Sequence, residues 1–281
     1  ATVLWPADSA SPEAWLAAQP VDELKAQFDN DGYAVVRGVL TPSEVALLGE
    51  LYDRLLSGSI DASSHRHDLG NTQAVQNAKF KENICQIMWP SLFVQGLADT
   101  CPARQRLRLL ARALLGPDMD FDFDMMLAKP PQSNTPTPWH ADAAYWLDMP
   151  DKRAVSCWLA VDATWLDNGC MWFGPGSHRR PLLPHRSAAA GTHVLTCDGS
   201  EADGVPCELQ PGDCTLHSGQ TLHYSRGNTS DCWRRGYVMN FRPLAMVEFE
   251  RQRNYDHGQA GLGKIFGAGQ AHAADGADAV A

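Results

Sequence analysis

The chain has 281 residues, 44% of them hydrophobic and 20% charged, which gives enough apolar mass for a full core and excludes a wholly disordered chain. Thirty-three acids against 23 bases leave a net charge of −10, which argues against a nucleic-acid surface or an anionic membrane as partner. Eight cysteines show no Cys-x-x-Cys pair and no zinc-ribbon spacing, and no apolar run approaches about 18 residues, so the expectation is a cytoplasmic protein with reduced thiols and no membrane span.

Residues 11–29 read as one or two short helices with Trp15, Leu16, Leu24 and Phe28 as their apolar face. A turn and a β-rich run follow over Asp31 to Leu40. Thr41-Pro42-Ser43-Glu44 is a capping box with proline at the first helical position, and it predicts a helix over 42–57 with Val45, Leu48, Leu51, Tyr52 and Leu55 at core spacing. The segment 58–80 is polar and turn-rich, and its His65 and His67 read as solvated. A longer helix is predicted over 90–115, stopped by Gly116-Pro117, with Arg104, Arg106, Arg108 and Arg112 spread over a solvated surface.

From about residue 121 the texture changes. Phe121 to Lys129, Arg153 to Ala163, Cys170 to Phe173, Asp213 to Leu216 and Gly236 to Leu244 are short β-favouring runs separated by Pro, Gly and Asn turns. Together with the preceding helices they predict an α+β fold, a sandwich or jelly-roll barrel with a helical flank, in one domain over 1–255. The tail, 256–281, is Gly/Ala-rich with little to bury, and partial disorder is expected there.

Candidate chemistry centres on Thr137-Pro138-Trp139-His140-Ala141-Asp142-Ala143-Ala144-Tyr145-Trp146. In an extended chain His140 and Asp142 project to one side, as a pair of metal ligands would. Two histidines and one carboxylate with open positions opposite is the arrangement of non-haem Fe(II) oxygenases, so a third ligand has to come from elsewhere. The turn Pro211-Gly212-Asp213 restarts a strand that brings His217 or His223 to the same wall. Gly219 bends the chain between them, which makes His217 a supporting residue more than a ligand. Eleven residues beyond His223 stands Arg234, a guanidinium suited to the carboxylate of a small diacid. Arg235, its neighbour on a strand, must face the other way. His178 closes a Pro-Gly-Ser-His turn and reads as a loop-holding side chain. Trp139, Tyr145 and Trp146 are either core aromatics or contacts to substrate.

Three blocks in order resemble the phytanoyl-CoA dioxygenase family of Fe(II)/2-oxoglutarate oxygenases. They are Pro138 to Trp146, Asn168-Gly169-Cys170-Met171-Trp172-Phe173-Gly174-Pro175-Gly176-Ser177-His178, and His223-Tyr224-Ser225 through Asn228, Ser230 and Arg234. Asp31 to Gly38 looks like that family's opening. The resemblance implies a double-stranded β-helix, jelly-roll or cupin-like, flanked by N-terminal and inserted helices. It implies His140, Asp142 and His223 as iron ligands, Arg234 and Ser225 on the distal carboxylate of 2-oxoglutarate, and Trp158 lining that pocket. A basic position near Lys79 or Lys81 contacts 2-oxoglutarate or substrate in the family. The implied activity is hydroxylation of a C–H bond of a small-molecule metabolite, with O2 consumed and 2-oxoglutarate converted to succinate and CO2. Retention of Asp142 favours hydroxylation over halogenation. Desaturation or cyclisation on the same fold, and a jelly-roll protein that binds a metal or ligand without turnover, are the alternatives. Substrate selectivity is expected in the segments 58–90, 143–153 and 178–207, where Arg179, Arg180 and Arg186 could form a basic mouth for an anionic substrate.

Overall fold

The computed structural model describes residues 5–6, 10–70, 79–189 and 194–261. Two antiparallel sheets face each other. The larger orders its strands Tyr33–Val36, Cys214–Ser218, Val155–Ala160, Arg234–Pro243, Met119–Lys129, Cys85–Met88 and Arg66–Asp68. The smaller runs Val205–Cys207, Met171–Phe173, His223–Ser225 and Thr137–His140. Apart from the consecutive run Arg66–Asp68, Cys85–Met88 and Met119–Lys129 at one edge, neighbouring strands in these two sheets are non-consecutive in sequence, as in a jelly roll, and the fold is the predicted cupin-like one.

Alternation along Arg234–Pro243 shows how the layers divide. Tyr237, Met239 and Phe241 join the apolar layer between the large sheet and the helices, with Leu48 and Tyr52 of helix Pro42–Ser57 and Leu107 and Leu110 of helix Pro102–Leu115. Val238 faces the other sheet, with Trp158, Met171 and Phe173. Between these inner faces the functional residues collect. Gly236 is required here: a Cβ on it would lie 2.1 Å from Trp158.

The capping box at Thr41 and Glu44 forms as predicted. Elsewhere the structure differs from the sequence reading. The expected helix over 90–115 is three pieces, Pro90–Phe93, Gln95–Asp99 and Pro102–Leu115, because Val94 is extended and Pro102 starts a new helix. Arg106 on the last piece is not solvated: it is 1% exposed and forks onto Glu44 at 2.6 and 3.0 Å. Nor is 58–80 all loop, since Arg66–Asp68 pairs with Cys85–Met88. His65 is buried, in hydrogen-bond contact with Ser64 and the Gln259 carbonyl. Of the predicted tail, residues 256–261 are described, and His257 among them is buried and in contact with Glu250 of helix Leu244–Gln252; the remainder, 262–281, lies outside the described residues. All eight cysteines are free, seven of them buried, and among the described residues no helix is long and apolar enough to cross a membrane.

Candidate iron and 2-oxoglutarate site

His140 ends one strand of the small sheet and His223 begins its antiparallel neighbour, and the two are direct register partners. Their ring centroids are 4.1 Å apart. Asp142 opens the short 3-10 turn that follows, with Oδ1 3.5 Å from His223 Nε2 and 3.8 Å from His140 Nε2. One atom from each residue falls within 4.8 Å of the others, a set that one ion can hold.

Each ligand is oriented from behind. His140 Nδ1 donates to the Pro138 carbonyl at 2.7 Å and His223 Nδ1 to the Thr221 carbonyl at 3.0 Å, which leaves both Nε2 lone pairs for a metal. Burial pushes both imidazoles below their ordinary pKa, His223 well below, and so keeps them neutral. The Asp142 Oδ2 atom accepts from the Ser156 hydroxyl at 2.6 Å and lies 3.2 Å from His217 Nε2. That pair turns Oδ1 toward the histidines. Burial alone would raise the Asp142 carboxyl, but the surrounding imidazoles hold it below the usual carboxylate range. His217, 2% exposed, thus supports the carboxylate and is not part of the three-residue set.

A cavity of about 150 Å³ joins these ligands to Trp158, Ser225 and Arg234. Arg234 is 2% exposed, with its Nε on the Gly169 carbonyl at 3.0 Å and its guanidinium 4.5 Å from the Trp158 ring centre. Among the described residues no carboxylate pairs with it, and burial lowers its pKa to about 10. A guanidinium buried without a counter-ion costs several kcal/mol, which an incoming carboxylate offsets. An unpaired guanidinium at this depth suits the distal carboxylate of 2-oxoglutarate. Arg235 faces the opposite way and is paired with Asp162 and Asp53.

Lys129, which the sequence reading missed, completes this corner. It is fully buried and in register with Arg234, and its Nζ donates to Ser225 Oγ at 2.9 Å and to the Arg226 carbonyl at 2.6 Å. With that lone pair occupied, the Ser225 hydroxyl hydrogen is free to donate into the cavity. Burial, and secondarily Arg234, push the lysine well below its usual pKa. Only the position of Lys129 at the end of a β run hinted at burial; its partner Ser225 is distant in sequence.

The predicted substrate aromatics divide. Tyr145 and Trp146 line the cavity. Trp139 does not: it stacks on Tyr224 with ring centroids 5.2 Å apart, in a cluster with Trp172 and Cys197. The expectation for it fails because neighbours on a strand face opposite sides, and His140 takes the inner one. Lys79 and Lys81 are exposed and line no part of this cavity. Arg179 is bonded to backbone carbonyls of Asn30 and Asp29, Arg186 pairs with Asp198 at 3.0 Å and lines a neighbouring pocket with Lys152 and Arg153, and none of Arg179, Arg180 and Arg186 lines this cavity. His178 holds its loop as expected, by contact with the Asp29 carbonyl. Tyr255, the last residue of the predicted domain, and His257, assigned to the tail by sequence, are part of the wall.

Comparison with known proteins agrees with this geometry. The phytanoyl-CoA dioxygenase (PhyH) family pattern matches residues 28–236. Phytanoyl-CoA dioxygenase domain-containing protein 1 of Danio rerio is 25% identical over 78% of this chain and 89% of its own length, whereas the 31% identical match to the Mus musculus protein spans 43% and 44%. Ectoine dioxygenase of Stutzerimonas stutzeri (strain A1501) is 29% identical over 78% of this chain and 76% of its own. Among solved structures, EvdO2 of Micromonospora carbonacea var. aurantiaca, crystallised with 2-oxoglutarate, aligns with a TM-score of 0.63 at 29% identity, covering 78% of this chain and 89% of that one. The cofactors of such enzymes are Fe(II), 2-oxoglutarate and O2. With the family pattern spanning both the opening strand and Arg234, the chain belongs to the phytanoyl-CoA dioxygenase (PhyH) family of Fe(II)/2-oxoglutarate-dependent oxygenases.

Proposed function

We propose that this protein hydroxylates a C–H bond of a largely apolar small-molecule metabolite, with conversion of 2-oxoglutarate to succinate and CO2. The observation that carries the reading is the buried, acid-free Arg234 sharing one cavity with three convergent metal ligands. His140, Asp142 and His223 hold the iron, which when bound supplies oxygen activation coupled to decarboxylation of the cosubstrate. Arg234 and the Ser225 hydroxyl receive the distal carboxylate, and Trp158 forms the wall beside it. In a chain of net charge −10, this local cation is what holds a dianion. The rest of the wall, including Leu69, Met88, Phe123 and Trp146, excludes water and orients the substrate. Its apolar character supports an uncharged substrate face. Anaerobic reconstitution with Fe(II) and 2-oxoglutarate, followed by oxygen and a panel of apolar metabolites, should give one succinate per hydroxylated product. No succinate with any substrate, or no metal uptake, would contradict the proposal.

A further inference from the structure

A second group of buried acids and a histidine lies on the cavity side of the C-terminal helix: Asp122, Glu250 and His257. Their spacing alone would suit a metal, but two guanidinium groups already occupy the carboxylates. Arg242 contacts Glu250 Oε1 at 2.8 Å and Asp122 Oδ2 at 3.2 Å, and Arg251 contacts Asp122 Oδ1 at 2.5 Å. Two cations thereby balance two anions, and a metal ion would bring an excess of positive charge.

What the cluster does instead is fix one imidazole. His257 Nε2 lies 3.1 Å from Glu250 Oε2 and 3.2 Å from Asp122 Oδ2; both are acceptors, so Nε2 carries the hydrogen. The ring is stacked on Phe123, centroids 4.0 Å apart, and the edge of Tyr255 closes against it at 4.7 Å. Among the described residues nothing bonds its Nδ1, and His257 lines the same cavity as the iron ligands. Around it the cavity wall is Phe123, Met88 and Trp146.

This wall is tied to the iron side by a continuous hydrogen-bond chain. Ser156 donates to Asp142, Asn240 Nδ2 donates to Ser156 Oγ at 2.8 Å, and Arg242 Nε donates to Asn240 Oδ1 at 3.2 Å. The Arg242 guanidinium also stacks 3.6 Å over Trp146. The position of His257 relative to Asp142 is therefore set by buried, paired groups and not by a loop.

We propose that His257 is a specificity-determining anchor, whose imidazole Nδ1 accepts a hydrogen bond from a hydroxyl or amine N–H on an otherwise apolar substrate. The assignment rests on the oxygenase reading for its function and names the substrate class: one donor on an apolar frame, held at a fixed distance from the iron so that one C–H is presented. Arg242 and Arg251 are ion-paired with Glu250 and Asp122, and neither lines the cavity, so a charged carboxylate substrate meets no cation on this wall.

The test uses the full chain loaded with Zn(II) in place of iron and with 2-oxoglutarate, titrated with phenol and with toluene, rings of one shape that differ by a donor. Uptake of metal and 2-oxoglutarate is measured first by calorimetry, and failure there counts against the oxygenase reading alone; the phenol comparison is then made on the unloaded chain. Wild type should bind phenol about fivefold more tightly than toluene, the worth of one neutral hydrogen bond, and His257→Phe should abolish or reverse that preference, because the phenol hydroxyl then has no acceptor. Labelling with [15N]histidine reads the same contact without a variant. Phenol, and not toluene, should move the His257 Nδ1 resonance. Equal affinities in wild type, no phenol binding at millimolar concentration, or an unmoved Nδ1 at saturating phenol overturns the proposal.

Discussion

Two buried clusters in this protein are built from the same donors, imidazole and carboxylate, and they differ in how charge is compensated. At His140, Asp142 and His223 one carboxylate faces two neutral imidazoles, with Ser156 and His217 behind it and no cation in the set. At Asp122, Glu250 and His257 two carboxylates are matched by Arg242 and Arg251. The first arrangement has donors and charge suited to a metal ion; the second already has its cations. Proximity of acids and histidines is thus a poor sign of a metal site until nearby guanidinium groups are counted. Asp124 shows a third solution. It is fully buried, accepts from Tyr237 at 2.7 Å and Ser91 at 3.0 Å, and burial raises its pKa to about 6.

The largest expected effect is at the first cluster. Asp142→Ala should weaken Fe(II) binding by more than about a hundredfold, beyond the loss usual for groups that only support a ligand, while the fold survives; calorimetry and circular dichroism read the two separately. Unchanged affinity would erase the distinction between the clusters.

Arg242→Met attacks the second cluster and should cost about 3–5 kcal/mol in urea unfolding, because Glu250 and Asp122 are left buried with one cation between them. A stability equal to wild type would show that the cluster is not charge-balanced by Arg242. Arg234→Met should lower 2-oxoglutarate affinity by about 2–3 kcal/mol, the value of hydrogen bonds to a charged group, and leave Fe(II) affinity alone. Its own burial penalty disappears in the variant, so stability without cosubstrate should not fall.

Asp124 gives a prediction in pH. Its folded pKa of about 6 lies above the ordinary 3.8, so its stabilising contribution is full below the ordinary value and is lost as pH rises through 6. Wild type should lose about 2 kcal/mol between those values relative to Asp124→Asn, measured by denaturant unfolding at each pH. Parallel profiles would rule out a protonated Asp124. The smallest effect is expected from Ser156→Ala, about a tenfold loss of Fe(II) affinity, since Asp142 Oδ2 would keep only His217 as a partner.

Much of the first cluster was legible in the sequence because its rules are local. The same-side placement of His140 and Asp142, the opposed directions of Arg234 and Arg235, and the capping box at Thr41 all follow from strand or helix periodicity. The same rule applied to Trp139 would have turned it away from His140, and there the flanking motif misled. Lys129, Ser156 and His257 could not be read this way, because each acquires its partner through register between strands or packing of the C-terminal helix. Arg106 and Arg242 look like surface charges in a sequence until the distant acids Glu44, Asp122 and Glu250 are folded against them.

On the proposed function, the cluster without a cation is a working iron and 2-oxoglutarate site. Anaerobic titration of the wild-type protein with Fe(II) and 2-oxoglutarate, followed by visible absorbance, reads both ligands in one experiment. A weak charge-transfer band should grow to saturation at one equivalent of each and be lost in Asp142→Ala. A wild-type protein that binds both and shows no band, or binds neither, contradicts the account.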